Sequence, residues 1–493
     1  MLFNSYIFIF LFLPLSLAGY FTLNHFGLNK LSRLWLFGMS LWFYGSNTPK
    51  YLVLICASIV INFAFYRLSL RLAHSPYRKA AMALAVIINL GILFYYKYFN
   101  FFVDTVNSLL PTEWTVKTIM LPLGISFFTF QQVSFVVDSF RGEVSPDYDF
   151  LDYACFVSFF PQLVAGPIVT HDELVPQLMD EKRQHFDFES FAKGVFIFAI
   201  GLAKKVLIAD NLSFTAIAGF NWAAAGAWDV FNSSTALVTM LSYTLQMYFD
   251  FSGYSDMAIG IGYMFHVELP QNFNSPYKAI TIVDHWKRWH LTLTRFLTKY
   301  VYIPIGGSRK GSVRTYINII IVYLVSGIWH GAGWTYIFWG LLHGLFNALT
   351  RWGHKVFDRI PKLVNWLITF AFINLGFIIF RAESLGHAFA FIGRIFDFEF
   401  GPVPFQLLES LCLTEVQIFL GAIPVIGSYL QLPMVMSALF ILTALFIALV
   451  PANAYEMTRK LRPRLLPLLF TVLLLVWCIL SFGKVSEFLY FNF

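Results

Sequence analysis

The chain has 493 residues, of which 58% are hydrophobic, 19% aromatic and only 12% charged, and its mean hydropathy is +0.67. A soluble protein of this length carries about twice that charge fraction, so a soluble fold is excluded and the composition describes an all-α polytopic membrane protein. The net charge of +7 belongs to positive-inside loops; no basic run interleaved with aromatics lies on a soluble surface, which excludes nucleic acid as a partner.

The first stretch, MLFNSYIFIFLFLPLSLAGYF, has small residues near Ala18-Gly19. It lacks a basic leader and its apolar run is long, so it reads as a retained first span. Further apolar windows of span length follow at 51–70, 80–103, 118–140, 190–209, 235–265, 315–331, 334–350, 364–380, 434–450 and 465–482. Two shorter stretches, 34–46 and 151–169, contain or adjoin Gly and Pro and read as short spans or re-entrant segments. The expectation is one integral-membrane domain over 1–493, with about 11 transmembrane helices plus re-entrant and interfacial ones. Cys56, Cys155, Cys412 and Cys478 are scattered, form no CxxC pair, and predict neither a disulfide framework nor a zinc site. No internal repeat is visible, which speaks against a transporter of inverted repeats.

Basic loops at 24–33, 67–79, 278–314, 351–362 and 459–464 predict the cytoplasmic side. The acidic segment 396–433 predicts the opposite one. The spans then alternate consistently if 34–46 crosses, with both termini outside. The scheme is weakest between 140 and 235, where Lys204 and Lys205 sit inside an apolar run.

In QMYFDFSGYSDMAIGIGYMF (246–265), Asp250 and Asp256 interrupt a span. Buried carboxylates need partners, and Lys287, Arg288 and Arg295 are the candidates. The pair is either an ion-pair frame for a ligand path or a structural salt-bridge network. Segment 278–314 alternates Lys278, His285, Lys287, Arg288, Arg295, Lys299, Arg309, Lys310 and Arg314 with Trp286, Trp289, Phe296, Tyr300 and Tyr302. Residues 284–300 lack Gly and Pro, and Asp284 is placed to cap. This predicts an amphipathic helix on the cytoplasmic face, lying on anionic lipid or forming a cationic mouth for a phosphate-bearing donor.

Of the eleven histidines, His285 and His290 are five apart, one off the spacing that places two ligands on one helix face. No metal signature exists and no metal is expected. His290 reads equally as an interfacial polar residue or a functional one. His330, in SGIWHGAGWTY (326–336), differs. Sixteen residues beyond Arg314 it lies about 24 Å in, most of the way across a ~30 Å hydrocarbon core. A ring there faces the protein interior or a cavity, as a functional group or as a satisfied buried one. If functional, neutral imidazole fits a general base. Gly327, Gly331 and Gly333 give clearance for a backbone or a ligand, and Trp329 and Trp334 supply walls. His343, on the next span, reads as structural.

YFDFSGYSDMAIGIGYMF, LPQNFNSPYKA, HWKRWHLTLTRFL, YIPIGG and WHGAGWTYIFWG together resemble the membrane-bound O-acyltransferase family, nearest its bacterial branch that acts in alginate O-acetylation. LPLGISFFTFQQVSFVVDSFRG, FPQLVAGPI, KKVLIADNL, IIFRAESL and the terminal FLYFNF extend the likeness over nearly the whole chain. The resemblance implies a cytoplasmic acetyl-CoA donor and an essential His330. It implies that His290 supports catalysis from the cytoplasmic side. It also implies an SGNH-type periplasmic partner, a polysaccharide acceptor, and tilted spans around a central tunnel in a bacterial inner membrane. Lys287 stands where the family commonly has Arg, keeping the charge without the bidentate fork, and Thr170 stands where a basic residue is expected.

The resulting expectation is that Lys287, Arg288, Arg295 and Arg309 attract the donor phosphates and that the arm passes Trp286 and Trp289. His330 then deprotonates an acceptor hydroxyl, or carries the acetyl group itself. Alginate or a similar exopolysaccharide is the first expectation for the acceptor, with peptidoglycan as the alternative and acetylated cellulose also open. The competing class is a transporter in which Asp250, Asp256 and His330 form a relay.

Overall fold

A computed structural model of the chain describes residues 1–46, 48–421, 429, 432–462, 464–484 and 488–489. The remainder of the acidic segment 396–433 and of the terminal FLYFNF lies outside them. The described residues are helical, with no strand among them. They divide into two units, one of residues 1–201, 254–271 and 458–479, the other of 202–253, 272–457 and 480–493.

Among the described residues, five helical runs are long and apolar enough to cross a bilayer: Phe8–His25, Pro49–Arg71, Arg78–Leu109, Ser312–His330 and Lys362–Arg381. The other predicted windows are helical but shorter, as in Pro433–Leu449 and Leu465–Leu480, or carry more polar residues, as in Ser233–Met264. Many outward residues are large and apolar. Leu466 and Leu480 are 78% and 79% exposed, which only a lipid environment tolerates at this density.

In the first unit, Ile125–Arg141 is buried over nearly its whole length. It starts at Ile125, not near 118, because Gly124 adopts φ +68, a left-handed conformation that favours Gly. A polar layer lies beside it. Asn62 Nδ2 donates to Gln132 Oε1 at 2.8 Å, Asn89 Nδ2 to Asn62 Oδ1 at 2.7 Å, and Gln132 Nε2 to Ser58 Oγ at 2.9 Å. Arg33 forms a buried ion pair with Asp152. The stretch 151–169 is too broken to span: Phe150–Ser158 and Phe160–Leu163 are separate short helices around Phe159, just before Pro161.

The second unit holds most of α1 (Ser233–Met264); from Tyr254 onward that helix belongs to the first. Next come α2 (Ile282–Trp286), α3 (Leu291–Leu297), α4 (Ser312–His330), α5 (Trp334–Trp352) and α6 (Lys362–Arg381). The expected continuous helix over 284–300 is broken. Thr281, not Asp284, caps α2 by accepting from the Asp284 amide. α2 ends at Trp286, and His290, at φ +45, turns the chain into α3. Nor is this segment an interfacial ribbon: His285, Trp286, Trp289 and His290 are all buried.

Helices α4 and α5 run antiparallel and close together. A Cβ on Gly340 would lie 2.5 Å from the Tyr323 carbonyl, and one on Gly327 would overlap the Tyr336 carbonyl. Small residues permit this approach where no hydrophobic effect drives helices together.

Candidate active site

The α4–α5 turn decides where His330 points. α4 ends on His330, residues 331–333 reverse the chain, and Trp334 begins α5. His330 is 2% exposed. Its ring is boxed edge-on by Trp329 at 5.0 Å, Trp339 at 5.2 Å and Phe380 at 5.4 Å between centroids.

Two expectations change here. Trp334 is no wall, being 56% exposed; it starts a new helix and turns outward, while Trp339 of α5 and Phe380 of α6 take that place. Gly327 and Gly331 give clearance, but Tyr336 occupies it: a Cβ on Gly331 would fall within the Tyr336 ring. Gly333 has only ordinary contacts, the nearest at 3.5 Å.

His290 is fully buried, beyond the membrane-crossing runs. Its Nδ1 lies 3.1 Å from Asn272 Oδ1, which also accepts from Thr292 Oγ1 at 3.0 Å. An acceptor at Nδ1 assigns the proton to that nitrogen. Nε2 is then the basic atom, and among the described residues it has no hydrogen-bond partner. Burial lowers the His290 pKa to about 3, so the ring is neutral at pH 7. Phe251 packs edge-on at 4.8 Å. Trp329 lies between the two histidines, 6.0 Å from His290 and 5.0 Å from His330.

The other histidines separate by their bonds. His285 Nδ1 faces the Pro276 carbonyl at 3.3 Å, and burial lowers its pKa to about 4. His343 accepts from Trp286 Nε1 at 3.2 Å and packs 4.6 Å from Trp339. It thus braces two tryptophans, as a structural residue would.

A cavity of about 230 Å³ lies between α3, α4 and α5, walled by Trp286, Leu293, Leu297, Tyr323, Ser326 and Asn347 among others. Its cationic lining residue is Arg351, whose Nε donates to Asn347 Oδ1 at 2.8 Å. None of Lys287, Arg288, Arg295 and Arg309 lines it. Lys287, Arg295 and Arg309 are exposed, and Arg288 pairs with Asp284 at 2.9 Å. Trp286 is in the cavity wall; Trp289 is buried against Phe273 at 5.0 Å.

The carboxylates also find other partners than those expected. Lys205 Nζ lies 2.7 Å from Asp210 and 2.8 Å from Asp250, and Asp250 Oδ2 accepts from the Leu489 amide at 2.8 Å. Asp250 is therefore held by Lys205, not by Lys287, Arg288 or Arg295. Asp256 belongs to the other unit and is buried there, 8% exposed. Lys205 sits in the π-helical stretch Lys204–Ala209. Its one sequence signal was a charge inside an apolar run. Asn272 had no signal beyond its place in LPQNFNSPYKA. Among the described residues no three His, Cys, Asp or Glu side chains gather as metal ligands.

A buried imidazole thus ends the helix whose Tyr323 and Ser326 line the cavity, and the comparisons say which class of protein carries it. The family model of the membrane-bound O-acyltransferases matches residues 92–386. The chain is 45% identical over 418 residues to a peptidoglycan O-acetyltransferase of Helicobacter pylori, covering 79% of this chain and 78% of that protein. It is 37% identical over 430 residues to the probable alginate O-acetylase AlgI of Pseudomonas aeruginosa, covering 85% and 79%. It is 26% identical over 284 residues to a teichoic acid D-alanyltransferase of Bacillus subtilis, covering 54% and 70%. The chain belongs to the membrane-bound O-acyltransferase family. It is a multi-pass membrane acyltransferase.

Proposed function

We propose that the chain is an O-acetyltransferase of a bacterial inner membrane, with about eleven passes around a central tunnel. It takes acetyl from cytoplasmic acetyl-CoA and delivers it, through an SGNH-type periplasmic partner, to an extracytoplasmic polysaccharide. The observation that carries this reading is His330, buried in an aromatic box, two helical turns beyond a cavity-lining tyrosine on the same helix. A polymer acceptor is supported by both O-acetylating relatives. The 45% identity to a peptidoglycan O-acetyltransferase against 37% to an alginate O-acetylase favours peptidoglycan over alginate.

His330 removes the proton from the attacking hydroxyl, whose oxygen bonds the thioester carbonyl carbon; the C–S bond then breaks and coenzyme A leaves as the thiol, taking the proton back from His330. The alternative is attack by the imidazole itself, giving an acetyl-histidine that the hydroxyl then resolves. His290, neutral with Nε2 as its base, supports the site through Trp329. Lys287, Arg295 and Arg309, exposed, attract the donor phosphates by long-range charge, and Arg288 contributes what its pairing with Asp284 leaves. Asp250 acts as a frame through Lys205, and Asp256 as a frame in the other unit.

The test is a deletion strain complemented with His330→Ala. At wild-type membrane levels, the acetyl content of isolated peptidoglycan should fall to that of the deletion. Full O-acetylation would overturn the assignment. Loss of acetate from another polymer alone would move the acceptor there.

A further inference from the structure

The outward side of α4, α5 and α6 holds a second hollow, which shares no lining residue with the cavity beside Trp286. Its volume is about 520 Å³ and its lining is almost wholly apolar, within the ~300–1,000 Å³ of small-molecule sites. Leu342, Leu345, Leu349 and Trp352 of α5 line it, with Tyr316 of α4 and Phe372 of α6. The four α5 residues are spaced i, i+3, i+7 and i+10, which is one face of a helix. That face points outward: Leu345, Leu349 and Trp352 are 46%, 49% and 72% exposed.

The length of the hollow is informative. Leu342 and Trp352 are separated by a helical rise of about 15 Å. A hydrocarbon core is ~30 Å thick, so the hollow is one leaflet deep. At its inner end the stripe is closed. Phe338, one turn before Leu342 on the same face, packs against Phe389 of the helix Leu385–Phe396, 5.8 Å between centroids. A partner helix crossing the membrane would need the whole of α5; an acyl chain of one leaflet needs only this half.

Charge marks the end that meets water. α4 and α5 run antiparallel, and so do α5 and α6, where Phe346 meets Phe372 at 4.3 Å and Trp339 meets Phe380 at 5.2 Å. The start of α4, the end of α5 and the start of α6 therefore share one side. There the segment 351–362 carries Arg351, Lys355, Arg359 and Lys362 against the one carboxylate of Asp358. Arg351 is turned to Asn347 and the other cavity. Lys355, Arg359 and Lys362 are exposed and make no ion pair among the described residues. Trp352 stands at the same end, and indole rings settle at the headgroup level of a bilayer. An apolar trough one leaflet deep with cations at its wet end is complementary to a phosphate carried on an acyl chain.

We propose that this hollow binds an anionic phospholipid of the cytoplasmic leaflet. One acyl chain lies along α5, and Lys355, Arg359 and Lys362 hold the phosphate. The chain touches α4, α5 and α6 together, so occupancy also steadies the three helices.

The test uses the full chain, purified and delipidated in detergent, and three probes. These are phosphatidylglycerol, phosphatidylcholine with the same acyl chains, and glycerophosphoglycerol, which is the headgroup alone. Phosphatidylglycerol should raise the melting temperature by several degrees and bind about tenfold more tightly than phosphatidylcholine. Glycerophosphoglycerol should do neither. Lys355→Gln and Arg359→Gln should each weaken phosphatidylglycerol about fivefold and leave phosphatidylcholine unchanged. Leu345→Trp, which fills the hollow without touching its charge, should remove the melting shift. Phosphatidylglycerol carrying a diazirine in its acyl chain should cross-link within 342–352.

Equal affinity for the two phospholipids would overturn the proposal, because the cations would then select nothing. Cross-links spread evenly over the lipid-facing helices would mean annular lipid only, with the same result. Oxidation of Leu345→Cys to a dimer in membranes, in a chain with its native cysteines replaced, would give this face to a second copy and also sink the idea.

Discussion

His290 shows how one residue's surroundings become a measurable property. Its ring is buried and neutral, with the pKa lowered from 6.5 to about 3 by desolvation; His285 is lowered from 6.5 to about 4. Folding therefore keeps protons off two rings that the unfolded chain would protonate below pH 6.5. The unfolded state binds more protons in that window, so stability rises with pH there. It is full above 6.5 and is lost as pH falls toward 4 and then 3. Each ring contributes up to about 1.4 kcal/mol per pH unit inside its window. The melting temperature of the purified protein should fall steadily from pH 6.5 to 4, and less steeply in His290→Asn, which keeps a donor for Asn272. A flat wild-type profile, or an unchanged slope in the variant, would show that these rings are not held neutral. His330 was legible from its depth alone, because the rise of a helix converts sequence distance into position. Its box was not. Trp339 and Phe380 are nine and fifty residues away, and only the packing of α5 and α6 brings them in. Trp334 was misjudged because nearness in sequence does not survive a chain reversal.

At the scale of elements, periodicity and glycine spacing carried much of the information. The apolar windows located the helices well, since burial in lipid demands long apolar runs with internally satisfied backbone. The break at His290 could not be seen, because a histidine in the left-handed region is chosen by Asn272 and Thr292 around it, not by propensity. The glycines of α4 and α5 make a sharp comparison. A Cβ on Gly327 would meet the Tyr336 carbonyl, whereas one on Gly333 would make only ordinary van der Waals contacts. Gly327→Ala should push α5 away from α4, cost about 1–3 kcal/mol and reduce acetyl transfer. Gly333→Ala, whose φ of −175 is ordinary extended backbone, should leave melting temperature and transfer near wild type. Equal effects of the two substitutions would mean that the helix contact does not set the site. Lys205 belongs at this scale too. It was noticed as an irregularity in a span, yet it joins the π-helical stretch to α1 through Asp250 and to the helix that follows it through Asp210.

For the whole molecule, the distribution of charge makes the strongest claim. Lys310 and Lys355 precede and follow the α4–α5 pair and both are exposed, while the Glu383 side chain, 67% exposed, lies just past the end of α6. The antiparallel pair returns the chain to the side it left, and α6 crosses once more. If basic loops are retained in the cytoplasm, positions 310 and 355 share one side and position 383 faces the other. His330, on the α4–α5 turn, is then at the level of 383. A donor in the cytoplasm and a hydroxyl from outside would thus meet near the outer end of α4, without the acetyl group entering bulk solvent on the wrong side. Single cysteines at 310, 355 and 383 test this, in a background where Cys56, Cys155, Cys412 and Cys478 are replaced by serine or alanine. In intact spheroplasts a charged maleimide should label the cysteine of Glu383→Cys and spare those of Lys310→Cys and Lys355→Cys; in inside-out vesicles the pattern should invert. Labelling of all three from one side would place His330 at the cytoplasmic face and remove the need for a transmembrane route.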